Sequence, residues 1–124
     1  MPGRLTRIRA VIAAGTALSN IIDLSDHRVL AIDMPAAWDA AAITFAAEAE
    51  SDDTGTPAPT FDPVYNTSGT EMSVTTAASR YVLLHNSIIP LFDGIKRCKL
   101  RSGTVAAPVN QTADRTIILV CEPR

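Results

Sequence analysis

The residues able to do chemistry are few in this chain and scattered along it. Histidine, the side chain suited to proton transfer near neutrality, occurs only at His27 and His85. Neither has a Cys, Asp or Glu at metal-ligand spacing in a shared motif. No G-x-S-x-G elbow gives a Ser/His/Asp triad its local context. His27 follows Asp26 and reads as a solvated turn residue, while His85 ends an apolar run and reads as a strand cap. Calcium takes several oxygens from one loop, which makes Glu48, Glu50, Asp52 and Asp53 the best metal candidates. Their spacing is not that of an EF-hand and lacks its sharp-turn glycine, so they read as a solvated hairpin mouth. A paired-carboxylate glycosidase needs a cleft lined with aromatic rings, and one Trp, two Tyr and three Phe are too few to line one. Cys98 and Cys121 are too few for a disulfide framework or a four-ligand zinc site. Each lies in an apolar run and reads as a small buried hydrophobe; a disulfide between them requires neighbouring strands. With no Gly-rich phosphate loop either, the expectation is no enzyme, with no catalytic, cofactor-binding or metal-binding residues.

Binding is the remaining class of activity. The formal net charge of −2 argues against a nucleic-acid partner, which would call for a basic face. The one dense basic run after the N-terminus, KRCKLR at 96–101, lacks interleaved aromatics and reads as a strand with a solvated charged face. No apolar stretch reaches the length of a membrane span. Near the N-terminus, Arg4, Arg7 and Arg9 interleave with Leu5 and Ile8 rather than preceding an apolar block, so the segment reads as a first strand and not as a signal peptide. Two loops have apolar content that suits contact: TGTPAPTFDP at 54–63 and VAAPV at 105–109. Folding back onto their own sheet is the equal alternative. Trp38, Tyr65 and Tyr81 are the candidates for an aromatic carbohydrate platform, although each also reads as core. The sequons at Asn66 and Asn110 carry little weight without a secretory signal.

The elements that must position these residues are strands. Period-two alternation marks 4–14, 18–24, 28–34, 43–50, 61–66, 71–76, 80–85, 95–101 and 115–122. In 28–34 it places Leu30, Ile32 and Met34 inward. In 95–101 Lys96 shares the parity of Cys98 and Leu100, which suggests a bulge or an edge there. The TIILV run at 116–120 is apolar on both faces and suggests a central strand, or one covered by a partner. The alanine-rich segment 34–50 is ambiguous, because Ala is the strongest helix former while ITFAAEAE alternates. Its neighbours resolve it as one helical turn around Trp38 followed by a strand. The expected fold is therefore a single all-β domain over 1–124, an antiparallel β-sandwich, jelly-roll-like, of about eight short strands.

The order of segments also resembles a known group. MPAAW, ITF, VYNTSGTE, ASRY and LRSGT-AAPVNQ-ADRT, spread over about residues 10–120, are similar to small β proteins encoded among the structural genes of tailed bacteriophages. The resemblance carries no catalytic motif. It implies a virion component of the capsid decoration, or cement, type: a homotrimer on the outer capsid surface, made in the bacterial cytoplasm, with the major capsid protein as partner. A head-fibre base, a tail-associated protein and a carbohydrate-binding adsorption module are the alternatives. No short motif transfers the capsid contact to particular residues.

Overall fold

The computed structural model describes residues 4–48, 60–84 and 93–124, and among them the regular elements are strands, apart from 3-10 backbone at 93–94. The nine strands are β1 (Thr6–Ile12), β2 (Ile22–Asp23), β3 (His27–Asp33), β4 (Ile43–Glu48), β5 (Phe61–Pro63), β6 (Ser73–Val74), β7 (Tyr81–Leu83), β8 (Arg97–Ser102) and β9 (Arg115–Pro123). They form two sheets, and every pairing is antiparallel. The first sheet has the order β1-β9-β3-β7; the second has β2-β8-β4-β5, with β6 also on β4. Core side chains come from both sheets: Ala10, Ile12, Ile32, Ile117 and Leu119 from the first, and Ile22, Ile43, Phe45 and Leu100 from the second. A sheet with one apolar face must bury it against another layer, and period-two alternation supplies one such face per strand. Each fully buried Ile or Leu contributes roughly 1.5–3 kcal/mol. With Phe45 the one aromatic among the buried residues of the cluster, the interior is largely aliphatic.

Three expectations are corrected. The inward set of β3 is Val29, Ile32 and Met34, not Leu30, Ile32 and Met34. The pairing with β9 steps from Val29↔Cys121 to Ala31↔Val120, so Leu30 is the extra residue of a bulge that reverses the parity. Lys96 forms no bulge: it is exposed, outside β8, and its carbonyl accepts from Leu24 N–H. The helical turn around Trp38 does not form, and residues 34–42 are irregular. Both backbone groups of Asp39 are engaged by one side chain: Asp39 N–H donates to Gln111 Oε1 at 2.8 Å, and Gln111 Nε2 donates to Asp39 O at 3.1 Å. A glutamine amide thus takes the place of a neighbouring strand, and the alanines' helix propensity loses to tertiary bonds.

The ITF alternation is as expected, with Ile43, Phe45 and Ala47 toward the core. The apolar run in β9 belongs to a central strand, between β1 and β3. The turn at 67–69 also forms. Asn66 Oδ1 accepts from the backbone N–H of Ser68 and Thr70 at 2.9 and 3.0 Å, and Gly69 takes the positive φ of 79° that the turn requires.

Candidate functional site

The residues first considered for chemistry are not brought together. His27 opens β3 and is half-buried, not solvated, and its Nδ1 is buried without a hydrogen-bond partner. His85, Glu50, Asp52, Asp53 and the 54–59 part of the Pro-rich loop lie outside the described residues. Glu48 is not at a solvated mouth: its side chain is 2% exposed, and Arg97 Nη1 donates to both carboxylate oxygens at 2.9 and 2.8 Å. Among the described residues no cluster of three or more His, Cys, Asp or Glu could hold a metal ion. Cys98 and Cys121 are buried free thiols on strands of different sheets. Burial pushes the Cys98 thiol up to about 12, with a smaller push from nearby Cys121; burial alone pushes Cys121 up to about 11. Neither is an activated nucleophile.

The aromatic candidates separate as well. Trp38 packs half-buried against the core and donates from Nε1 to Ala41 O at 3.1 Å. Tyr65 and Tyr81 are each 50% exposed rather than core. Tyr81 stands on β7 of the first sheet, and Tyr65 bridges to Glu71 beside the second, so they share no platform. A cleft of about 340 Å³ beside β5 has Ala47, Pro63, Val64, Tyr65 and Ile95 among its lining, and no His or Cys among the described residues. Of the 105–109 loop, residues 105–108 are exposed, and Val105 N–H donates to the Glu71 carboxylate at 3.2 Å.

One constellation escaped the sequence reading. Gln111 is fully buried, and besides its two bonds to Asp39 it donates from Nε2 to Ser102 Oγ at 2.7 Å and accepts at Oε1 from Arg115 Nε at 3.1 Å. The Asp39 carboxylate accepts from Arg115 Nη2 at 2.9 Å, Thr112 N–H at 2.9 Å and Thr112 Oγ1 at 3.2 Å. Desolvation pushes its carboxyl up, but the bonds from Arg115 and Thr112 outweigh it and hold the group below its ordinary 3.8. Gly15 N–H donates to Gln111 O and Gln111 N–H to Thr16 O, which adds the β1–β2 turn to the same latch. Every member bonds to another, so the latch locks one end of the sandwich. MPAAW and AAPVNQ-ADRT, far apart in sequence, adjoin or supply its residues.

The two outer faces differ. On the second sheet, Thr44 pairs with Arg101 and Ala46 with Lys99, and the charges are closed off. Arg97 holds Glu48, Arg101 lies 3.5 Å from Glu71, and Lys99 Nζ sits 4.9 Å over the Phe61 ring. The cations expected on a solvated face of 96–101 are thus paired at Arg97, Lys99 and Arg101, which are half-buried or buried, while Lys96 is exposed. On the first sheet the outward rows are Arg7, Val120, Ala31, Leu83 and Arg9, Ile118, Asp33, Tyr81. Leu83 is 75% exposed, and Leu5 and Val11 are also exposed. These exposed apolar residues lie toward the two edges of the face, at β1 and β7, while Ala31 and Val120 between them are buried. Exposed apolar side chains on one sheet face are candidates for contact. Compared with protein-family models, curated proteins and solved structures, the chain matches none.

Proposed function

We propose that this chain is a structural protein of a tailed-bacteriophage virion, a capsid decoration protein that binds the outer capsid lattice as a homotrimer and stabilises it without catalysis. The observation that carries the reading is the outer face of the first sheet. Leu83 and Tyr81 on β7 and Val11 on β1 stand exposed at its two edges, with the small or aliphatic residues Ile118, Val120 and Ala31 between them, of which Val120 and Ala31 are buried. The resemblance over about residues 10–120 supports the same reading. The mechanism is mass action: a ligand that binds across joints of the assembled lattice, and not to free subunits, favours assembly by its differential affinity. The partner is the major capsid protein and the location is the particle surface.

The test is copy number and contact. Purified particles should carry the protein at a copy number comparable to the capsid subunit, and adding it to stripped particles should raise their disruption temperature. Leu83→Glu should abolish particle binding while the isolated chain melts as before, because Leu83 is solvent-facing already. A few copies per particle would sink the cement reading and favour a head-fibre or tail role.

A further inference from the structure

We infer that the open edge of β1 receives an extended acidic segment of a different protein, by strand addition. β1 is the edge strand of the first sheet. At its C-terminal end Val11 N–H donates to Asn20 Oδ1 at 2.7 Å, and Val11 O accepts from Asn20 N–H at 3.2 Å. In an antiparallel strand the N–H and C=O of one residue point to the same side, and the side alternates along the chain. Val11 therefore fixes the phase: Arg7 and Arg9 also turn both backbone groups away from β9, while Thr6, Ile8 and Ala10 face it. Among the described residues no bridge or backbone hydrogen bond takes up that outward edge at Arg7 and Arg9.

The side chains on this edge specify the occupant. Arg4, Arg7 and Arg9 are exposed, and among the described residues none of them is in an ion pair. Ile8, on the inner face of the same edge, is only part-buried against the core. A strand laid along the edge would place alternate residues beside the arginines and the intervening residues over Ile8. The matching sequence alternates acidic and apolar residues. A second copy of β1 does not fit, since it would oppose arginines to arginines, and like charges directly opposite are destabilising. Main-chain bonds supply affinity in strand addition, and alternate side chains supply specificity. This inference concerns the edge, not the apolar face, and holds whether or not the partner is a capsid.

The intact chain tests it against a nine-residue peptide alternating valine and glutamate. Controls are a valine–lysine counterpart, a scrambled peptide of the same acidic composition, and a single-stranded oligonucleotide. The acidic alternating peptide should bind about tenfold more tightly than each control and slow hydrogen exchange at the Arg7 and Arg9 amides, leaving Ile8 and Ala10 as they were. Arg7→Ala should weaken it about threefold by charge alone. Arg7→Pro should weaken it about tenfold or more, because only proline removes the outward N–H; that N–H is not used in the ladder with β9, so the fold tolerates the change. Should Arg7→Pro melt early, Arg7→Ala with Arg9→Ala and the exchange pattern carry the test. Equal binding of the scrambled peptide, of the lysine peptide or of the oligonucleotide overturns the inference, as does unchanged exchange at Arg7 and Arg9.

Discussion

Strands β1 and β8 both set a basic residue at every second position: Arg7 and Arg9 in one, Arg97, Lys99 and Arg101 in the other. In β8 each cation has a partner, Glu48, the Phe61 ring or Glu71. In β1 neither arginine is in an ion pair among the described residues. The difference is one of place in the sheet. β8 lies between β2 and β4, and acids on β4 and near β6 reach over it. β1 has one neighbour, β9, whose outward residues Thr116, Ile118 and Val120 offer no carboxylate. The same alternation thus makes a sealed surface in one strand and an open one in the other. Charge pattern alone does not separate structural from available cations; the neighbouring strand does.

The contrast can be broken first on the sealed side. Arg97→Ala strips the guanidinium from a carboxylate that is 2% exposed and should cost about 3 kcal/mol in urea unfolding. A loss below about 1 kcal/mol would show the pair to be as dispensable as a surface one. Next in size is the latch. Gln111→Leu keeps the volume but removes the bonds to both backbone groups of Asp39, to Ser102 and to Arg115. It should destabilise by about 2–3 kcal/mol. Gly103→Ala should cost about 2 kcal/mol: Gly103 sits at φ +88°, and a Cβ there would meet Ala107 O at 2.5 Å.

A subtler effect is one of shape. The Asp39 carboxyl is held below 3.8 in the folded chain, so its contribution is complete above that value and fades as pH falls through the lowered folded value. Asp39→Asn should lower stability at neutral pH and flatten the decline below about pH 4, read from thermal melts across pH. A decline as steep as in the parent would place the acid sensitivity elsewhere. The smallest effect belongs to the open side: Arg7→Ala and Arg9→Ala should each stay within about 0.5 kcal/mol. A larger loss would mean that β1 is sealed after all.

Sequence reading reached as far as local physics reaches. Alternation in ITFAAE and in 115–122, and the turn chemistry of Asn66 and Gly69, were legible because each is set by near neighbours. The bulge at Leu30 was not, since a parity change is decided by the partner strand β9. The course of 34–42 was not, because Gln111, some seventy positions away, holds it. Tyr65 and Tyr81 read as core because aromatic rings usually are, and only the packed fold shows them to be half exposed. On the candidate surface, the arginines of β1 were visible in the sequence, but their lack of acidic neighbours was a fact of topology.

The buried thiols carry a consequence for measuring motion. With Cys98 at about 12, the thiolate at pH 8 is on the order of one part in ten thousand, and no alkylating reagent reaches a buried sulfur. Labelling therefore counts openings of the sandwich rather than resting exposure. Cys98 sits in the sheet with the sealed face and Cys121 in the sheet with the open edge. Equal labelling rates would mean that the two layers part as one unit; a lead at Cys121 would time the fraying of the layer that β1 leaves unfinished.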